Sequence, residues 1–273
     1  MKNIFQNLYY AIVRMIEHDG VEHSGYMAFM MLLSIFPFFI FILAFTSFFG
    51  LSELGEMFIW LTIDNLPQNS IEAIKDRIGE MIADPPQGLL TLAIFGTLWT
   101  SSSFVECLRT ILNRVYEVKT LPIYILRRLL SIAQFLIISS AICLAMLIFI
   151  IIPIILAKVK YFVILKEEYE SIIYMLKYII VFLSLFITIS SLYYLIPNIS
   201  LKFADVAPGA LLTVILWLIS GYLLSKYIIY YNQLSLVYGS LGSVIITLIF
   251  FYMINMIFII GAEFNFLMSH KKT

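Results

Sequence analysis

Leu129–Ala157 reads LLSIAQFLIISSAICLAMLIFIIIPIILA, a run with no Asp, Glu, Lys, Arg or His in it. A helix needs about 20 mainly apolar residues to cross a hydrocarbon core of roughly 30 Å, and this run exceeds that length. Lipid offers no water to backbone amides, so a spanning segment must be a helix or part of a closed barrel. Barrel strands alternate polar and apolar residues over about ten positions, whereas Leu136-Ile137-Ile138 through Ile155-Leu156 does not alternate. The run therefore reads as a transmembrane helix.

The same reading extends along the chain. Charge-free stretches recur at Ser24–Ser52, Gln87–Val105, Tyr178–Leu201, Val206–Ser225 and Tyr227–Ala262. Hydrophobic residues make up 62% of the 273 residues and charged residues 12%, about half the charged share of ordinary soluble domains. The expectation is an all-α polytopic membrane protein with six transmembrane helices. The spans fall at about Gly25–Gly50, Gly88–Arg109, Leu129–Ala157, Tyr174–Pro197, Pro208–Tyr230 and Ser240–Phe266. Together they form a membrane domain over 25–268, with 269–273 as a short tail. Met1–Glu22 lacks a compact apolar core and a small-residue cleavage site, so no signal peptide is expected and insertion falls to the first span.

Before that span, Ile4, Phe5, Leu8, Tyr9, Ile12, Met15 and Ile16 recur at helical spacing with Lys2, Gln6, Asn7 and Arg14 between them. Residues 1–24 are thus expected to be an amphipathic interfacial helix and its turn. The connection 51–87 is acidic, with Lys75 and Arg77 its only bases. It carries a helix signal: Asn69 and Glu72 at capping-box spacing, then Ile71, Ile74, Ile78 and Met81 on one face. The connection between the second and third spans is basic, through Arg109, Arg114, Lys119, Arg127 and Arg128. Short basic connections stay in the cytoplasm, which places both termini inside and 51–87 on the outer side of the membrane.

One stretch concentrates polar groups near a span end. At about 100° per residue, Ser102, Glu106, Arg109 and Asn113 fall on one narrow helix face, and Glu106 and Arg109 are close enough to pair. Glu263 is expected at the same depth in the sixth span, facing Arg109 or Arg114. Ionisable groups in a membrane tend to face the bundle interior or a polar cavity. These five residues are therefore the candidate polar patch of a substrate path, with a snorkelling helix end as the plain structural reading. Pro37, Pro197, Pro208, Gly209, Gly239 and Gly242 mark positions of tight helix packing or of a hinge. The second span opens Pro86-Gln87-Gly88-Leu89-Leu90-Thr91 and the fifth Pro208-Gly209-Ala210-Leu211-Leu212-Thr213, a pairing that inverted repeats would produce.

Other chemistry finds little footing. Cys107 and Cys143 form no disulfide or metal framework. His18 and His23 are spaced unlike a helical ligand pair, and no metal or other cofactor is expected. No nucleophile elbow, zinc-protease motif or phosphate loop occurs, so the chain is not expected to be an enzyme. The formal net charge is zero, giving no electrostatic reason to bind nucleic acid.

The residues also resemble a known family. Ala28-Phe29 with Leu33-Ser34-Ile35-Phe36-Pro37, and Trp99 to Tyr116 with Ser102, Glu106, Leu112 and Asn113, look like the YihY/BrkB family of bacterial inner-membrane proteins. Tyr194–Pro197, Pro208-Gly209-Ala210, Tyr238–Ser243 and Gly261-Ala262-Glu263-Phe264-Asn265 extend the likeness in order across nearly the whole chain. The resemblance implies a six-span membrane domain and a role in envelope lipid handling or transport. The family once carried a mistaken ribonuclease BN label and supplies no agreed catalytic residues. Membrane lipids are the expected partners. The expected function is a transporter or flippase-like protein for an amphipathic substrate. The rival is a non-transporting scaffold that assembles with other envelope proteins.

The topology has a direct check. In a chain lacking Cys107 and Cys143, a cysteine placed within Ser70–Asp84 should react with an impermeant reagent in intact cells, and Lys119→Cys should not. Labelling of Lys119→Cys would reverse the assignment.

Overall fold

The computed structural model describes residues 2–48, 87–118, 123–138, 140, 168–230 and 241–270. The connection expected at 51–87 except Gln87, positions 139 and 141–157 of the Leu129–Ala157 run, Gly239, and 271–273 of the tail expected at 269–273 lie outside the described residues. Seven helices are described: α1 (Lys2–Glu17), α2 (Gly20–Phe48), α3 (Gln87–Val115), α4 (124–138), α5 (Glu168–Leu195), α6 (Phe203–Tyr230) and α7 (Leu241–His270). No strand occurs among the described residues, as the run patterns predict. Among those residues, Phe203–Tyr227 and Val244–Ser269 are long and apolar enough to cross a membrane.

The helix boundaries follow from local chemistry. α1 and α2 are separated only by His18 and Asp19, a shorter break than the polar stretch His18–Ser24 suggests. Asp19 takes φ 56°, and its N–H bonds the Ile16 carbonyl at 3.2 Å, a left-handed cap usually made by glycine. α3 ends the same way. Glu117 has φ 54°, its N–H bonds Arg114 O at 3.1 Å, and Val118 N–H bonds Asn113 O at 2.9 Å, the paired bonds of a Schellman cap. α5 stops at Leu195, two residues before Pro197, which disfavours helical geometry in the residue ahead of it. α6 starts at Phe203 rather than at Pro208, because Asp205 Oδ2 accepts the Lys202 N–H at 3.2 Å and fixes the first turn. Pro208 then lies inside α6, and Pro37 inside α2.

Among the described residues, the buried core lies at one end of the helices. α7 is central, lying against α6, α2 and α1, while α3 packs on α2 and α5 on α6. The buried core gathers Met27 from α2, Ile111, Leu112 and Val115 from α3, Ile189 and Tyr193 from α5, Val206, Ala210 and Val214 from α6, and Phe258, Ile259 and Ala262 from α7. These positions are the start of α2, the ends of α3, α5 and α7, and the start of α6. Elsewhere Phe95, Ile187, Leu218 and Ile249 face outward. Apolar surface on that scale suits hydrocarbon and not water.

The α6–α7 crossing depends on two glycines. A Cβ added at Gly209 would run into the Gly261 carbonyl, and one at Gly261 into Thr213 Oγ1. Close backbone approach of this kind is how small residues hold membrane helices together. The Tyr193 hydroxyl seals the contact by donating to Phe258 O at 2.6 Å and meeting Thr213 Oγ1 at 2.8 Å. Gly209 therefore acts in packing. Gly242 is buried too. Gly209→Ala should cost about 1–3 kcal/mol by overpacking and lower the Tm of the purified protein. Gly221→Ala, where a Cβ meets nothing, should leave the Tm unchanged or raise it. An unchanged Tm for Gly209→Ala would contradict the crossing.

Candidate functional site

Arg109 anchors the first polar cluster. Its side chain is 1% exposed, and its guanidinium donates to Glu106 Oε2 at 2.9 Å, Arg127 O at 2.8 Å, Ser131 Oγ at 2.7 Å and the Gln134 amide oxygen. Ser131 Oγ in turn donates to Glu106 Oε2 at 2.8 Å, and Gln134 Nε2 to Leu195 O at 2.9 Å. One buried cation thus ties α3 to α4 and, through Gln134, to the end of α5. Glu106 Oε1 is 3.5 Å from Arg127 Nε, so this carboxylate is shared by two arginines.

Glu263 lies in a second cluster. Fully buried on α7, it accepts from Arg14 Nε at 2.9 Å and from His18 Nδ1 at 2.5 Å. The expected partner, Arg109 or Arg114, is replaced by residues from the α1 end, because α1 packs directly on α7. Arg14 also bonds Glu117 at 3.1 Å and lies 4.3 Å from the Phe266 ring centroid. Burial alone would lower the Arg14 pKa, but the Glu263 and Glu117 carboxylates outweigh it and the net direction is upward. Arg114 pairs with Asp19 and donates to His18 O at 3.0 Å. The two left-handed acidic caps are therefore exchanged: Asp19 of the α1 cap meets the α3 arginine, and Glu117 of the α3 cap meets the α1 arginine. Acidic residues standing where a helix end favours glycine were the sequence signal for this clasp.

The remaining candidates separate. Ser102 is buried and donates to Trp99 O of its own helix at 3.1 Å. Asn113 exchanges two bonds with Asn198, at 2.9 Å side chain to side chain and 2.7 Å from the Asn198 backbone N–H. It fastens α3 to the turn containing Pro197. Thus the structure brings Glu106 and Arg109 together, while Ser102, Asn113 and Glu263 each serve a different contact.

An open groove of about 520 Å³ runs beside the first cluster. α2 contributes Glu22, His23 and Tyr26; α3 contributes Trp99, Ser103, Glu106, Cys107 and Thr110; α4 contributes Tyr124 and Arg128. Arg128 stacks 4.3 Å from the Trp99 ring centroid and donates to Ser103 Oγ at 3.1 Å and Trp99 O at 3.0 Å. The Arg128 Nε is buried with no hydrogen-bond partner among the described residues. Tyr26, Trp99 and Tyr124 are exposed at the mouth. Sequence reading reached Glu106 here and missed Glu22, Tyr26, Trp99 and Arg128, which come from three helices far apart in the chain.

A family model described as virulence factor BrkB matches residues 11–273. The chain belongs to the BrkB family. As a member it is a membrane protein, in keeping with its apolar helices. A Bacillus subtilis (strain 168) protein named "Putative ribonuclease-like protein YfkH" is similar to this BrkB-family chain, with 29% identity over 259 residues, 93% of this chain and 92% of that one. No solved structure matches.

The two kinds of ion pair should respond differently to truncation. Arg109→Gln removes the buried member of the pair and leaves Glu106 to Arg127 and Ser131. The loss of its hydrogen bonds should cost about 1–3 kcal/mol, visible as lost membrane abundance and a lower Tm. Arg114→Gln breaks an exposed pair and should cost about 0–1 kcal/mol. Equal abundance of the two variants would contradict the burial of Arg109.

Proposed function

We propose that this chain is a six-span plasma-membrane protein that binds and moves an amphipathic lipid through the α2–α3–α4 groove. The groove carries the reading. It combines charged groups with exposed aromatic rings, and Tyr and Trp favour the headgroup level of a bilayer. A lipid needs a polar track only for its headgroup, since its chains can stay in hydrocarbon. The cations at this end argue against an RNA-binding role of the kind the relative's name suggests. Arg14, Arg109 and Arg114 are paired with carboxylates of the fold, whereas nucleic-acid binding draws on an unpaired basic surface.

The six-span, both-termini-inside topology has physical support in where helices meet. The Asp19–Arg114, Arg14–Glu263, Asn113–Asn198, Gln134–Leu195 and Gly209–Asn265 contacts bring together the starts of α2, α4 and α6 and the ends of α3, α5 and α7. Antiparallel neighbours crossing a bilayer in turn produce that arrangement. The arginines at this end make it the cytoplasmic one. α1 turns Asn7, Ala11 and Met15 inward and Phe5, Tyr9, Ile12 and Ile16 outward, which fits a helix lying at the interface. Binding and movement require no bond chemistry, and the reading is non-enzymatic.

Reconstitution tests it. Vesicles containing the protein should equilibrate labelled phospholipid between leaflets faster than empty vesicles, without passing small ions. Thr110→Trp, which fills the groove, should slow this movement while abundance holds. Ion flux without lipid movement would overturn the proposal, and movement of neither would leave the scaffold role.

A further inference from the structure

The groove's charges are unequal in their commitments. Glu106 is held by Arg109, Ser131 and Arg127, so it is neutralised from behind. His23 Nδ1 donates to Asp19 O at 2.8 Å. Glu22 is exposed and has neither a hydrogen bond nor an ion pair among the described residues. Arg128 spends one N–H of each terminal nitrogen on α3, which leaves the second N–H of each for an occupant, while its Nε is shielded. An occupant would therefore meet one free carboxylate, beside Tyr26 one helical turn further along α2, and one guanidinium with a donor to spare, stacked on Trp99.

We infer that the groove holds the headgroup of an amine-bearing zwitterionic phospholipid, its ammonium at Glu22 and its phosphate at Arg128. The inference rests on the lipid reading above and narrows it to a headgroup class. An ammonium gains from a carboxylate and from aromatic faces together, and a guanidinium is suited to phosphate. An anionic headgroup would satisfy Arg128 and bring negative charge to Glu22. A groove of about 520 Å³ falls within the usual ligand-site range of roughly 300–1,000 Å³. The source is the bilayer and not the aqueous phase, because the mouth is framed by exposed Tyr26, Trp99 and Tyr124.

Binding to the purified full-length protein separates the alternatives. The probes are short-chain phosphatidylethanolamine, phosphatidylglycerol and soluble glycerophosphoethanolamine, read by thermal shift and by native mass spectrometry. Phosphatidylethanolamine should bind about tenfold or more tighter than phosphatidylglycerol, and the soluble headgroup should bind more weakly than the lipid. Glu22→Gln, at an exposed position that leaves the fold intact, should remove most of that discrimination. Arg128→Lys should weaken both lipids. Equal affinity for the two lipids, or discrimination that survives Glu22→Gln, would overturn the inference, as would tighter binding of the soluble headgroup. Vesicle assays keep the two ideas apart. Glu22-dependent binding without leaflet exchange would remove transport and retain this site. Exchange of both lipids without selective binding would do the reverse.

Discussion

A guanidinium buried among apolar helices must have its charge answered on the spot, and Arg109 organises its end of the bundle for that reason. An unpaired buried ion costs several kcal/mol. Glu106 alone, three residues earlier on the same helix, could pair with Arg109 without organising anything else. The other acceptors come from elsewhere: Arg127 O, Ser131 and Gln134 on α4. Satisfying the two terminal nitrogens of the guanidinium thus joins α4 to α3, while the Arg109 Nε has no partner among the described residues. Gln134 extends the restraint to Leu195 at the end of α5. Packing between apolar helices in lipid lacks a strong hydrophobic drive, so polar contacts of this kind contribute much of the register.

Glu263 plays the complementary part with an anion. Its partners, Arg14 and His18, come from the segment that precedes the first long helix, and they hold α1 against α7. The exchanged caps then join α1 to α3, since Asp19 reaches Arg114 and Glu117 reaches Arg14. Arg14 belongs to both sets and also covers the Phe266 ring. Loss of Arg14 would leave the fully buried Glu263 carboxylate without its arginine, a costly change, whereas the exposed Asp19–Arg114 pair contributes little. Its value lies in fixing the short α1–α2 break beside the groove, where Glu22 and His23 begin the α2 wall.

Much of this was legible from residue order, and the rest depends on approach in space. The helical class followed from charge-free runs such as Tyr178–Leu201 and Val206–Ser225, which do not alternate polar and apolar residues as strands of a closed barrel would. The Glu106–Arg109 pair followed from a spacing of three. The partner of Glu263 did not, because its nearest cations in depth were equally plausible until α1 was seen to pack on α7. Asn113 looked like part of one polar face with Ser102, yet a shared face says nothing about which neighbour each residue meets. Asn113 meets Asn198, while Ser102 bonds back to its own helix, as hydroxyls in apolar helices often do. The groove was the least legible feature. Its walls come from residues 22–26, 99–110 and 124–128, and only the fold brings those segments together.

The locked cluster and the open groove are linked through a single carboxylate. Glu106 forms part of the groove lining and also neutralises Arg109 and faces Arg127. Were that carboxylate free, the groove would hold two anions against Arg128 and would favour a cation alone. Because the cluster behind it absorbs the charge, Glu22 and Arg128 are left as one unlike pair in the groove lining, from α2 and α4. The buried polar network therefore does more than hold α3, α4 and α5 together. It sets the charge balance of the groove beside it, and a change at Ser131, which lies outside the groove lining, would remove one of the hydrogen bonds that hold the Glu106 carboxylate toward the cluster.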